Sequence, residues 1–202
     1  MFNIAVFVSG KGSNLKSVFE KVPKEKIRIC AVISDKEDCG AVHFADDYGI
    51  QVFFVDAKNV LNSCGYSELA KILKKIQVDL IVLAGFLKKI PDEFIDEFEN
   101  RIINIHPALL PKFGGKGMYG MNVHNAVFDS AAKISGASIH FVDKIYDNGL
   151  IIAQRTVDIS DAKDPDDIAS RVLKIEHELL PFVIEKFADN KIFINQGNVV
   201  VE

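Results

Sequence analysis

The sequence predicts an α/β fold: a Rossmann-like, open, mostly parallel twisted sheet with helices on both faces and antiparallel additions in the C-terminal part. Three observations predict it. Short apolar runs alternate with helical patterns through the first hundred residues. The runs are continuously apolar, as strands covered on both faces must be. The stretches between them are long enough for crossover helices, which parallel neighbours require.

Asn3–Val8 is a buried strand ended by Ser9-Gly10. Ser13–Lys21 places Leu15, Val18 and Phe19 at helical spacing. Ile27–Ser34 is a second buried strand, Ala41–Tyr48 a short helix closed by Gly49, and Val52–Val55 a third strand. Tyr66–Ile76 carries Leu69, Ile72, Leu73 and Ile76 on one helical face. Leu80–Leu83 is a fourth strand, and Pro91 opens a helix through Phe94, Ile95 and Phe98. Ile102–Ile105 is a strand running into His106-Pro107. After a glycine-rich loop from Gly114 to Gly120, a helix covers about Asn122 to Ala132. Ala137–Val142 and Leu150–Thr156 are strands, and Asp164–Asp189 is a long helix with Asp164 as N-cap. Lys191–Val201 closes as a hairpin around Gln196-Gly197-Asn198. A single domain with two lobes, residues 1–100 and 101–202, accounts for this order.

The 202 residues suffice for a full core without a metal or disulfide staple. Lys and Arg number 24 against 28 Asp and Glu, for a net charge of −4, which gives no electrostatic reason to expect nucleic acid. Small-molecule substrates fit better. Three cysteines without a CxxC pair point to a reducing cytoplasm. The run Ile4–Val8 is too short to span a bilayer and lacks a preceding basic region, so no membrane segment or signal peptide is expected. The chain is expected to act as a monomer or homodimer.

Parallel sheets hold ligands at the carboxyl ends of their strands. Three segments there could carry chemistry. Ser9-Gly10-Lys11-Gly12-Ser13-Asn14 joins a strand to a helix, so free N–H groups and the positive helix end can cradle one phosphate. It is neither a dinucleotide fingerprint nor a Walker loop. A plain βα turn with Ser13 as N-cap explains the same residues. Asn104 and His106 share one side of their strand and suit stabilisation of a developing oxyanion. The alternative is a core histidine beside a turn-capping Asn104. Asp147-Asn148-Gly149 suits a β-turn, or a carboxylate that raises the pKa of His106. Glu176-His177 suits a solvated helix face, His140 a structural strand position, and His43 and His124 helix surfaces. The five histidines show no metal-ligand spacing, so no metal is expected.

Taken together, Val8–Leu15, Val82–Phe86, Asn104–Pro111, Gly136–Val142, Asp147-x-Gly149, Gln154 and Glu176-His177 resemble the stand-alone phosphoribosylglycinamide formyltransferases. The likeness runs along essentially the whole chain. It implies formyl transfer from 10-formyltetrahydrofolate, a co-substrate, to the amine of glycinamide ribonucleotide, with no metal. It implies Asn104, His106 and Asp147 as the catalytic trio. Lys11, Gly12, Ser13, Asn14 and Glu176 would hold the ribonucleotide. Leu87, Lys88, Lys89 and Ile90, with Asn104 and Asp143, would contact the folate. Lys88 and Lys89 depart from the family pattern, which has an arginine and then apolar residues. Two other readings stand beside this one: a formyltransferase for another amine such as a sugar nucleotide, and a catalytically silent phosphate-binding module.

Overall fold

A computed structural model describes residues 1–57 and 63–202. They form two compact units, Met1–Ile103 and Asn104–Glu202. The first contains β1 (Phe2–Val8), α1 (Ser13–Lys21), β2 (Ile27–Ser34), α2 (Gly40–Asp47), β3 (Val52–Val55), β4 (Ser63–Cys64), α3 (Tyr66–Lys75), β5 (Leu80–Leu83) and α4 (Asp92–Glu97). β6 (Ile102–His106) begins in the first unit and ends in the second. The second continues with α5 (Met121–Asp129), β7 (Ile134–Phe141), β8 (Ile151–Asp158), α6 (Pro165–Ala188) and a hairpin of β9 (Ile192–Asn195) and β10 (Asn198–Val201). The strands form a mixed sheet ordered β4-β3-β2-β1-β5-β6-β7-β8, the class the sequence predicts.

In the first unit β1 is the axis. It pairs in parallel with β2, from Phe2↔Ile27 to Val8↔Ser34, and with β5, from Ile4↔Leu80 to Phe7↔Leu83. Covered on both faces, Ile4 to Val8 are fully buried, which is why that run is apolar throughout. α1 buries Leu15 and Val18, and α3 buries Leu69, Ala70 and Leu73, the stripes their periodicity predicts. Phe7 meets Phe86 and Phe94 edge-on, at centroid distances of 5.3 and 6.0 Å.

From β1 the chain builds outward to β2, β3 and β4 on one side and returns to β5 on the other. The carboxyl ends of β1 and β5 therefore form the switch point at which open α/β sheets bind ligands. Ser9 ties these ends together. Its N–H donates to the Gly85 carbonyl at 3.1 Å, and its Oγ accepts from the Leu87 N–H at 3.0 Å.

In the second unit β7 and β8 run antiparallel, from Ile134↔Asp158 to His140↔Ile151. Gly136 admits no side chain, because a Cβ there would collide with the Arg155 carbonyl oxygen. α6 starts where the Asp164 carboxylate accepts from the Asp167 N–H at 2.8 Å.

Several bounds differ from the predicted ones. β7 starts at Ile134 rather than Ala137 and β8 reaches Asp158, because pairing of the two strands continues past the apolar residues. α5 stops at Asp129 rather than Ala132, since Ala131 has φ +53°, outside helical space. Pro91 is the N-cap of α4 rather than its first helical residue. The two-residue β4 has too short a pattern to be read from sequence.

Replacing Ser9 by Ala removes the acceptor that fixes Leu87. The variant is expected to stay folded, to lose about 1 kcal/mol of stability, and to exchange its Leu87 amide hydrogen roughly tenfold faster. Unchanged exchange at Leu87 would show that this bond does not hold the two strand ends.

Candidate active site

Each unit contributes its own group of residues. In the first, Gly12 is the N-cap of α1, with φ +75° and ψ 23°, and no side chain caps the helix. Ser13 is thus the first helical residue, not the N-cap. The first-turn N–H groups of α1 point out of the loop at the positive end of the dipole, as an anion site requires. Gly12 is dictated twice over: by its left-handed backbone, and because a Cβ would stand 2.7 Å from the Ala41 Cβ. The Ala41 N–H donates to the Gly10 carbonyl at 3.1 Å, so the start of α2 anchors the loop from below. Lys11 is exposed, Ser13 half-buried and Asn14 buried.

Leu87–Ile90 follow β5. Leu87 is exposed at 51 % and Ile90 is buried. Lys88 is exposed. The Lys89 ammonium pairs with Asp92 at 3.0 Å, a bond to the start of α4 that occupies its charge.

In the second unit Asn104, His106, His140 and Asp147 come together. Alternation along β6 puts Asn104 and His106 on one side. His106 is buried, with 3 % of its side chain exposed. Its Nε2 lies 2.7 Å from the Phe113 carbonyl, which fixes a proton on that nitrogen. Its Nδ1 lies 3.6 Å from Asp147 Oδ1. The Nε2 of His140 stands at the same 3.6 Å from that oxygen. His140 donates Nδ1–H to the Phe141 carbonyl at 2.8 Å, so the neutral ring presents a lone pair at Nε2. That lone pair accepts from Asn104 Nδ2 at 3.1 Å. His140 therefore sets which way the Asn104 amide faces, and leaves the second Nδ2 hydrogen free to donate.

Asp147 sits on a loop bent to deliver it. Its backbone is left-handed, φ +53°, a region Asp tolerates. Gly149 lies so close to the end of β7 that a Cβ would strike the Phe141 carbonyl oxygen. Asp143 spends both carboxylate oxygens within the loop, on the Ile145 N–H at 2.8 Å and on Asn148 Nδ2 at 3.0 Å. The Gly115 N–H donates to Asp147 Oδ2 at 2.8 Å.

The electrostatics correct one expectation. Burial pushes the His106 imidazole below its ordinary 6.5; the Asp147 carboxylate and the Phe113 carbonyl pull it up without overcoming the loss of water, and His140 lowers it further. The predicted raised pKa is thus absent: a carboxylate 3.6 Å away does not outweigh near-complete desolvation. Asp147 itself loses water, which pushes its carboxyl up. The neighbouring His140, His106 and the Gly115 N–H together hold it below its ordinary value.

Three further positions differ from the sequence-based expectation. His140 is a member of the site rather than a bystander. Glu176 is buried, 7 % exposed, because it shares the inner face of α6 with Val172, Leu179 and Leu180. His124 is buried at 6 %, not on a surface, and its Nδ1 has no hydrogen-bond partner among the described residues. Loss of water, then the neighbouring His106, lower its pKa. Among the described residues no group of three or more His, Cys, Asp or Glu is arranged to hold a metal ion, and no helix is long and apolar enough to cross a membrane.

The two lowered imidazoles carry a pH signature. A histidine with a folded pKa below its unfolded 6.5 binds fewer protons folded than unfolded as pH drops through that window. Its contribution is complete above 6.5 and is lost as pH falls toward the folded value. Urea unfolding is expected to give lower stability at pH 5.5 than at pH 7.5, with a smaller drop in His124→Asn. Equal stability at the two values would contradict the burial-driven shifts.

Residues 2–184 match the formyl transferase family. The chain is 44% identical over 199 residues to the chloroplastic phosphoribosylglycinamide formyltransferase of Vigna unguiculata, covering 97% of this chain and 64% of that protein. It spans 64% to 66% of the length of three such plant relatives. It is 32% identical over 198 residues to the phosphoribosylglycinamide formyltransferase of Escherichia coli (strain K12), covering 96% of this chain and 91% of that one. The crystal structure of phosphoribosylglycinamide formyltransferase from Anaplasma phagocytophilum matches with a TM-score of 0.89 at 32% identity, over 99% of this chain and 93% of the other. The family match over most of the chain and the near-complete coverage of the bacterial relatives show that the chain belongs to the formyl transferase family.

Proposed function

We propose that this chain transfers a formyl group from 10-formyltetrahydrofolate to the primary amine of N1-(5-phosphoribosyl)glycinamide, a step of de novo purine (IMP) biosynthesis. The observation that carries the reading is the buried cluster in which one carboxylate oxygen of Asp147 faces both His106 and His140 while His140 orients Asn104. The names of the relatives support the choice of substrates.

The folate supplies an activated one-carbon group and leaves as tetrahydrofolate. The neutral amine attacks the formyl carbon, and the carbonyl electron pair moves onto oxygen. The carbon–nitrogen bond to the folate then breaks. The folate nitrogen keeps that electron pair and gains a proton, and the attacking nitrogen loses one. Negative charge on the formyl oxygen is the barrier to lower. The free Nδ2 hydrogen of Asn104 is one donor, already aimed by His140 and needing no reorganisation. His106 is the other. Its Nε2–H is spent on Phe113, so Nδ1 must carry a proton in order to donate. In the empty site burial disfavours that proton. The charge developing beside Nδ1, added to that of Asp147, favours the ring form that has taken up a proton from solvent, and the ring returns that proton to solvent when the carbonyl re-forms. Asp147 also accepts the proton that leaves the amine, through water.

The same reading assigns the phosphate to Gly12, Ser13 and Asn14 with help from Lys11, and the glycinamide end to Glu176. The resemblance assigns pterin contacts to Leu87–Ile90 and, separately, to the loop from Asp143 to Asp147. Lys89 and Asp143, both committed to internal bonds, act on folate by shaping backbone rather than by charge. Three free cysteines suit a reducing compartment such as the cytoplasm, with a monomer or homodimer as the working form.

A formyl-transfer assay tests this. Asn104→Ala and His106→Ala are each expected to lower kcat about 10²–10³-fold, the usual effect of losing an oxyanion donor, with folding retained by circular dichroism. Asp147→Asn is expected to lower kcat as well. Wild-type kcat in a folded His106→Ala protein would remove the oxyanion role, and absence of activity in the wild type with these two substrates would remove the reaction.

A further inference from the structure

We infer that the first unit carries a second small-molecule site, at the amino ends of its strands, built to take an anion that bears a flat aromatic ring. The inference stands apart from the proposed reaction, which uses the carboxyl ends. A cleft of about 440 Å³ lies where β2 begins, within the range of small-molecule sites. Phe19 and Val22 wall it from the end of α1, Tyr48 from the end of α2, Arg28 from β2, and Lys24 and Gln51 from the flanking loops.

The topology leaves this space open. β3 takes up pairing with β2 only at Val32↔Val52. Before that point, Ile27, Arg28, Ile29 and Ala31 pair with β1 as their one strand partner among the described residues, the register shifts at Cys30, and the Ile27 N–H is taken by the Pro23 carbonyl at 2.9 Å. Half of β2 therefore has a free edge, and its unpaired backbone groups offer hydrogen bonds on that side.

The lining chooses the ligand. Among the described residues of the cleft, the charged ones are Lys24 and Arg28, both exposed and both cationic. The Arg28 guanidinium makes no hydrogen bond or ion pair with any described residue, so its fork of donors is available to a phosphate or carboxylate. The Lys24 ammonium rests 4.3 Å from the centre of the Phe19 ring. Phe19 and Phe44 pack on Tyr48 at 4.5 and 4.6 Å, yet Tyr48 remains 57 % exposed, and that open part of the ring is where a planar ring would stack. α1 is nine residues long, about 13 Å, and separates this cleft from the phosphate loop at its other end. One phosphate cannot touch both.

The test is a nuclear magnetic resonance titration of the full chain with AMP, using inorganic phosphate and adenosine as half-ligands and folic acid as an aromatic carboxylate. AMP is expected to give saturable shifts at the Phe19, Arg28, Tyr48 and Gln51 amides, with either half-ligand at least tenfold weaker there. Arg28→Glu, at an exposed position, is expected to lower the cleft's affinity at least tenfold and to leave shifts at Gly12–Asn14 unaltered. Tighter occupation of the cleft by folic acid than by AMP would support the site and name its anion as a carboxylate. Shifts confined to Gly12–Asn14, or an Arg28→Glu protein with wild-type affinity at the cleft, would overturn it.

Discussion

An ionised carboxylate held among buried imidazoles is the constraint on which the second unit depends. Asp147 keeps its charge with only 12 % of its side chain exposed. Burial alone would neutralise it. The Gly115 N–H from the glycine-rich loop favours the charge outright, and His106 from β6 and His140 from β7 add to it only when the nitrogen facing the acid carries a proton. The backbone around it follows from the same need. Gly149 allows the loop to fold against the end of β7, and Gly114 leaves room where a Cβ would strike the Leu110 side chain and come within 3.0 Å of the Asp147 Cβ. Asp143 closes the loop with its own carboxylate.

This arrangement divides labour among polar groups that look alike in a sequence. His106 and His140 both face the same oxygen, yet their second nitrogens differ in partner and consequence. The Phe113 carbonyl takes the Nε2–H of His106 and turns Nδ1 toward the acid. The Phe141 carbonyl takes the Nδ1–H of His140 and turns Nε2 toward Asn104. One ring keeps Nδ1 beside the acid; the other aims an amide. Burial holds the first ring's pKa below its ordinary 6.5 despite the carboxylate beside it, which keeps a buried cation out of the cluster at neutral pH.

Much of this was readable from residues alone because strands covered on both faces must be apolar throughout. Ser13–Lys21 and Ile27–Ser34 have the predicted bounds, and His106 stands 3.6 Å from Asp147, while Asn104 joins the group through His140. The failures share a cause. His140 sits in a β7 segment buried on both faces, so strand alternation gave it no more access to the site than to the core. Glu176 and His124 are polar residues on helix faces otherwise apolar, and a lone polar residue in such a pattern reads as surface. What placed them inside is tertiary contact that has no local signature. The lowered pKa of His106 likewise depends on how much water its surroundings remove, a quantity that a motif does not contain.

Asp147 is what favours a proton on a His106 that burial otherwise keeps neutral. The most direct measurement is the ¹⁵N imidazole titration of His106 in the wild type and in Asp147→Asn. The predicted result is a wild-type pKa below 6.5 with the neutral ring protonated at Nε2, and a further fall when the carboxylate is replaced. A wild-type value above 6.5, or the same value in both proteins, would contradict it.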